Sequence, residues 1–260
     1  MTRHERLTAL LGLLAEQERI EVDDAATALG VSPATIRRDL DHLAQQQLLV
    51  RTHGGAIAGN VAYDLPLRYK TARRAEEKQR IAEVAAGLVG PGAVLGMNGG
   101  TTTTEVARAL AVRSDAAAGG AGEVTVVTNA LNIAADLTVR PHIKVVVTGG
   151  VARHQSYELI GPLVGRVLDE LTLDMVFLGV DGLHSRHGAS AHHEGEASIN
   201  RLMAGHARQV VVVADSSKLD KRAFARICHV HEMHTLVTDS GAPDDVVERF
   251  EEQGVRVLRA

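Results

Sequence analysis

The sequence predicts an α/β protein in two parts: a small helical unit closed by a short β-wing, then a larger α/β domain with a mostly parallel sheet. Two observations carry this. Residues 31–56 (VSPATIRRDLDHLAQQQLLVRTHGGA) pass from helical apolar spacing to a short extended run and a glycine turn. From Glu76 onward, Val-rich apolar runs alternate with helix-like segments. That alternation is the pattern of a parallel sheet covered on both faces. At 260 residues the chain has room for one small and one large domain.

Taken in order, Leu7, Leu10, Leu11 and Leu14 form one apolar stripe and predict a first helix. Ile20-Glu21-Val22 reads as an extended link. Asp23 or Asp24 can cap a second helix that runs to Leu29, and Gly30 supplies the turn. A third helix opens at Ser32, whose hydroxyl can accept from an unpaired first-turn amide, with Pro33 at a position that needs no donor. Ile36, Leu40 and Leu43 fall on its inner face. Ala34, Arg37, Arg38 and Asp41 point the other way, with Thr35 at the edge between faces. The helix stops near Gln47, residues 48–52 read as a short strand, and residues 53–55 as a turn, which puts Arg51 and His53 on a wing. A helix so placed can enter a major groove with its N-terminal residues against base edges.

Composition limits the partners. Residues 1–57 hold six arginines, no lysine and eight carboxylates, and the whole chain carries a formal charge of −4, so any nucleic-acid contact must come from a local patch. With aromatics at 2% and no Trp, a stacking platform for single strands is not expected. A single Cys excludes an intrachain disulfide framework and suits a reducing compartment. The polar N-terminus and the absence of a long apolar run predict a cytoplasmic protein without a membrane span.

Residues 58–75 read as a linker, with Pro66 and a cluster of Arg68, Lys70, Arg73 and Arg74 that reads first as a solvated connection and alternatively as a contact to DNA phosphate. The domain of residues 76–260 opens with a helix through Ile81, Val84, Ala85 and Leu88. Strand-like runs follow at 93–96, 124–128, 143–148, 175–180, 210–214, 236–238 and 255–258. Helical segments lie between them at 102–111, 130–138, 159–171, 196–207 and 244–253. Right-handed crossovers gather the strand C-termini at one edge, where ligands bind.

That edge is polar. The first run ends at Asn98-Gly99-Gly100-Thr101-Thr102-Thr103, the second at Thr128-Asn129, the third at Gly149-Gly150, the fourth at Asp181, and the fifth leads to Lys218. Glycines admit a close ligand, while hydroxyls and helix-start amides offer donors to an anion. The pattern predicts a phosphorylated small molecule. Histidines 184, 187, 192 and 193, and 229, 231 and 234, are clustered but lack the H-E-x-x-H form, so neither a metal nor a cofactor is expected. Cys228 reads as a small buried hydrophobe.

Val31-Ser32-x-x-Thr35-Ile36-Arg37-Arg38-Asp39-Leu40, followed by Arg51-x-His53-Gly54-Gly55-Ala56, closely resembles the winged helix-turn-helix signature of the DeoR family of bacterial transcriptional regulators. Glu77-Lys78-x-x-Ile81-Ala82, Gly100-Thr101-Thr102-Thr103, Val126-Val127-Thr128-Asn129, Gly149-Gly150 and Ala214-Asp215-x-x-Lys218 resemble that family's effector domain. The resemblance implies an N-terminal winged helix-turn-helix and a Rossmann-like α/β domain similar in fold to ribose-5-phosphate isomerase. It implies double-stranded operator DNA, a phosphorylated sugar effector and a homo-oligomer as partners. Carried over, Ser32, Ala34, Thr35, Arg37, Arg38, Arg51 and His53 would meet DNA. Residues 100–103 with Lys78 would hold phosphate, and Thr128, Asn129, Asp181, Glu196 and Lys218 would approach the sugar. Asn98 departs from the family, which more often has Asp there.

The rival function is a sugar-phosphate isomerase, which needs a base and a carbonyl-polarising group. Such enzymes carry paired carboxylates and a later Lys-Gly-Gly-Gly. Here residues 179–184 hold one carboxylate with no such lysine loop, so a repressor of sugar-metabolism genes is the expected function.

Overall fold

The computed structural model describes residues 1–17, 19–46, 48–57, 67, 73–113 and 123–260. They form two compact units, Met1–Arg73 and Arg74–Ala260. Arg68 and Lys70 of the linker cluster, and the low-complexity stretch 116–122, lie outside the described residues.

In the first unit, helices α1 (Arg3–Gln17), α2 (Val22–Leu29) and α3 (Pro33–Gln45) enclose a core of Leu7, Leu10, Leu11, Leu14, Ile36, Leu40 and Leu43. Gly30, left-handed at φ +63°, ends α2. Two expectations are corrected. Ile20 and Glu21 are not a link but part of a strand, β1 (Arg19–Glu21), antiparallel to β3 (Gly55–Ile57), which also pairs with β2 (Val50–Arg51). A three-residue strand carries too little alternation to be read in isolation. Asp23 and Asp24 do not cap α2, because Glu21 takes the cap position; they stand in the first turn, where negative charge favours the helix dipole.

Asp39 sits on the inner side of α3, 3% exposed, and accepts from Arg6 Nε of α1 at 2.5 Å. This bond raises the Arg6 guanidinium further above its ordinary value. Asp39→Ala should therefore destabilise the N-terminal unit by about 1.5–3 kcal/mol, the worth of a hydrogen bond between charged groups. Urea unfolding followed by proteolysis of the N-terminal unit would measure it, and no change in midpoint would show that the pair is idle.

The second unit is built on seven parallel strands in the order β15-β14-β12-β9-β4-β5-β6. They are β4 (Val94–Met97), β5 (Val124–Thr128), β6 (Ile143–Val147), β9 (Leu173–Gly179), β12 (Ala207–Val213), β14 (Thr235–Thr238) and β15 (Arg256–Arg259). Helices α4 (Ala75–Ala86), α5 (Thr101–Ala111) and α6 (Leu131–Thr138) cover one face through Ile81, Val106 and Ile133. Helices α7 (Pro162–Leu168), α8 (Glu194–Gly205) and α9 (Asp244–Glu251) cover the other through Leu168, Met203 and Phe250. Met175 and Phe177 pack on the first face, Val176 and Leu178 on the second, which is why β9 reads as one unbroken apolar run.

Strand order reverses at β4: β5 and β6 lie on one side of it, β9 and its successors on the other. The crevice beyond the C-terminal ends of β4 and β9 is therefore the topological switch point. Smaller elements frame it. A hairpin of β7 (Val151–Ala152) and β8 (Leu159–Ile160) follows β6. A second sheet joins β10 (Gly182–His184), β11 (Gly188–Ala191) and β13 (Ala225–Cys228). The helix predicted from residue 159 thus begins only at Pro162, because Leu159 and Ile160 pair with the hairpin. Cys228 is buried in the core, and burial pushes its thiol up to about 12. Among the described residues, no helix is long and apolar enough to cross a membrane.

Candidate functional site

The first candidate surface is the outward side of α3. Ser32 caps the helix: its Oγ accepts from the Thr35 amide at 3.3 Å and lies 2.9 Å from the Thr35 hydroxyl. Ala34, Arg37 and Arg38 are exposed and Thr35 is half-buried at the margin. The Arg38 Nε donates to the Ala34 carbonyl at 3.3 Å, which lays that side chain back along the first turns. His53 is exposed at the wing. Arg51, on the wing, is bonded within the unit. Its Nε donates to Asp41 Oδ1 at 2.8 Å, and its Nη1 donates to the Gly55 carbonyl. It ties the wing to α3.

The second candidate site is the switch-point crevice. Asn98 follows β4 and bonds twice to Gly179 at the end of β9: Nδ2 donates to the Gly179 carbonyl at 2.9 Å, and Oδ1 accepts from its amide at 2.8 Å. The two central strand ends are stitched by one amide group. An aspartate there could accept but could not donate, so the departure from the family pattern has a structural reason.

Gly100 stands at φ +138°, a conformation costly for any side chain, and turns the chain into α5. By helix geometry the first amides of α5 have no intrahelical acceptor and face the crevice. The three hydroxyls expected to serve an anion divide. Thr103 donates to the Gly100 carbonyl at 3.1 Å, as does the neighbouring Thr104 at 2.7 Å. Thr101 is half-buried and Thr102 is 8% exposed, and neither hydroxyl bonds to a described residue. Lys78 is buried on α4.

Other expected residues are anchored by the fold. The Thr128 hydroxyl donates to the Met97 carbonyl at 2.7 Å and accepts from the Ala130 amide at 3.0 Å. Asn129 Nδ2 donates to the Leu159 carbonyl at 3.2 Å, while its buried Oδ1 has no partner among the described residues. Gly150 packs on Ile160 and Val164, where a Cβ would collide, whereas Gly149 stands in open space at φ +74°. Asp181 Oδ2 accepts from the His192 amide at 2.9 Å. Glu196, in the first turn of α8, pairs with Arg153 at 3.1 Å. Lys218 is half-buried in a single 3-10 turn after β12. The histidines take separate tasks: His193 caps α8 by accepting from the Gly195 amide at 3.1 Å. His184 and His187 lie 4.8 Å apart, and His229 stacks on His231.

Two residues escaped sequence reasoning. Glu158, 2% exposed, accepts from the Gly99 amide at 2.5 Å and lies beside Glu196, which Arg153 holds. Burial, together with the charges of Glu196 and Asp181, pushes the Glu158 carboxyl well above the ordinary carboxylate range, against the lowering effect of the Gly99 bond. The signal was present: two short apolar pairs, at 151–152 and 159–160, flank a polar loop holding both residues, the outline of a hairpin at a strand's C-terminal end.

The sign of the pH effect follows. An unfolded chain releases the Glu158 proton above about pH 4.5, whereas the folded site retains it, so its burial weighs against folding increasingly as pH rises from there. Glu158→Gln, which cannot titrate, should match wild-type stability near pH 4 and exceed it at neutral pH. Melting curves across that range would check this, and a difference independent of pH would contradict it.

Comparison with known proteins agrees with this layout. A model of the DeoR-like helix-turn-helix domain matches residues 6–60, and one of the DeoR C-terminal sensor domain matches residues 73–240. The HTH-type transcriptional regulator GlpR of Haloferax volcanii is 33% identical over 98% of this chain and 96% of its own length. The HTH-type transcriptional repressor GlcR of Bacillus subtilis is 32% identical over 99% and 96%. The glycerol-3-phosphate regulon repressor of Escherichia coli is 29% identical over 95% of each chain. Among solved structures, ribose 5-phosphate isomerase A of Methanocaldococcus jannaschii aligns over 56% of this chain and 54% of its own, with 23% identity and a TM-score of 0.41. The full-length relatives are regulators rather than enzymes, both parts of their architecture are present here, and the chain belongs to the DeoR family of transcriptional regulators.

Proposed function

We propose that this regulator represses genes of sugar metabolism from the cytoplasm, reading operator DNA with α3 and responding to a phosphorylated sugar held at the start of α5. The observation that carries the effector reading is the Gly99–Thr104 turn at the switch point. It offers helix-start amides and the hydroxyls of Thr101 and Thr102, which bond to no described residue. A phosphate there gains charge-assisted hydrogen bonds that an unphosphorylated sugar cannot use. Lys78 and Lys218 supply positive charge, and Asp181 and Glu196 supply acceptors for sugar hydroxyls. The isomerase alternative gains nothing from Glu196 and Asp181, whose carboxylates are held by Arg153 and the His192 amide. DNA-shift titrations on the region upstream of its own gene, with and without a sugar-phosphate panel, test the reading.

A second part of the proposal is assembly. One winged unit makes too few contacts for genomic specificity, and two related by symmetry would read paired half-sites. Sedimentation at micromolar concentration should give a dimer or larger, held by the α/β domain. A monomer both free and on DNA would contradict this.

A further inference from the structure

The carboxyl of Glu158 lies against the very turn to which the phosphate is assigned. The Gly99 amide donates to its Oε1 at 2.5 Å, and a Cβ at position 99 would strike the Glu158 Cγ and carboxyl. The backbone that carries this side chain is held at several points. The Arg153 amide donates to the Glu158 carbonyl at 2.8 Å, the Tyr157 amide to the Arg153 carbonyl at 2.9 Å, and the Leu131 amide to the Tyr157 carbonyl at 2.9 Å. Glu196 of α8 and Asp181 after β9 are the acids that face it, and Arg153 neutralises Glu196. The protein's own carboxyl occupies a donor of the anion turn.

We propose that Glu158 is a built-in occupant of the anion subsite, and therefore the residue that sets how tightly and how selectively this chain holds a phosphate. The inference rests on the phosphate-turn reading above. An entering phosphoryl oxygen must take the Gly99 amide from Glu158, and the displaced carboxyl, still in a site with little water, must find another partner. A sugar phosphate brings hydroxyl donors that can satisfy it. Inorganic phosphate offers fewer, so the occupant selects for polyhydroxylated phosphate esters over the free anion.

The test uses the full chain and inorganic phosphate as the probe, with calorimetry and thermal unfolding on wild type, Glu158→Ala and Glu158→Gln. Glu158→Ala vacates the amide and should tighten phosphate binding about five- to tenfold, the worth of one hydrogen bond. Glu158→Gln keeps the occupant and its acceptor and should stay within about twofold of wild type, because the Gly99 bond is preserved. Glu158→Ser vacates the amide as well and carries the same expectation should the alanine variant not fold. Damage to the fold weakens binding, so tightening is not its signature. Equal or weaker binding by the vacated variants, or tightening by Glu158→Gln as large as theirs, overturns the inference and leaves the turn standing. No phosphate response in wild type or in any variant overturns the turn, and this inference with it.

Discussion

Replacing Arg37 and Arg38 by alanine is expected to weaken operator binding about ten- to a hundredfold for each arginine that makes a bidentate base contact. Both side chains are exposed on α3, one turn beyond the Ser32 cap, where a groove-bound helix meets base edges. The measurement is a DNA-shift titration on operator and on unrelated duplex at several salt concentrations. A base-reading arginine loses affinity on operator alone. A phosphate-binding arginine loses it on both sequences and flattens the salt dependence by about one unit of slope. Wild-type binding by both single variants would remove α3 from the interface. Arg51→Ala gives a contrast: its guanidinium is held by Asp41 and the Gly55 carbonyl, so its loss should loosen the wing before it removes any phosphate contact.

The second large effect is expected at the effector turn. Thr102→Val keeps the side-chain volume and removes a hydroxyl that no described residue uses. Folding should be almost unaffected, because no internal hydrogen bond is lost. Effector affinity should fall by about tenfold, the worth of one hydrogen bond to a charged phosphate. The same substitution at Thr103 should behave differently, since its hydroxyl closes on the Gly100 carbonyl at 3.1 Å and serves the helix start. A larger loss of stability than of effector affinity is the expected signature there. Calorimetry with a phosphorylated sugar, run beside melting curves, separates the two. Equal effector affinity in wild type and Thr102→Val would sink the assignment of this turn.

The parts of the fold legible in the sequence were those whose pattern repeats within a few residues. α3 announced itself by Ser32, Pro33 and the spacing of Ile36, Leu40 and Leu43. β9 and β12 announced themselves as unbroken apolar runs, because both faces of their sheet are covered. What stayed hidden depends on partners distant in the chain. β1 exists because Gly55–Ile57 returns to pair with it, and β8 because β7 does. The site divides in the same way. The glycine-threonine turn was visible as a local string. That Asn98 spends its amide on Gly179, 81 residues away, was not, nor that Glu158 reaches Gly99 across 59 residues. Each of those contacts is set by strand order, which no short motif encodes.

Operator affinity measured while a panel of pentose and hexose monophosphates, each beside its parent sugar, is titrated into wild type and Thr102→Val tests the central claim most directly. At least one phosphate should change the affinity of the wild-type chain, its parent sugar should not, and Thr102→Val should bind effector-free operator normally while needing about tenfold more phosphate for the same change. A parent sugar as effective as its phosphate, or a Thr102→Val response indistinguishable from wild type, would contradict the account.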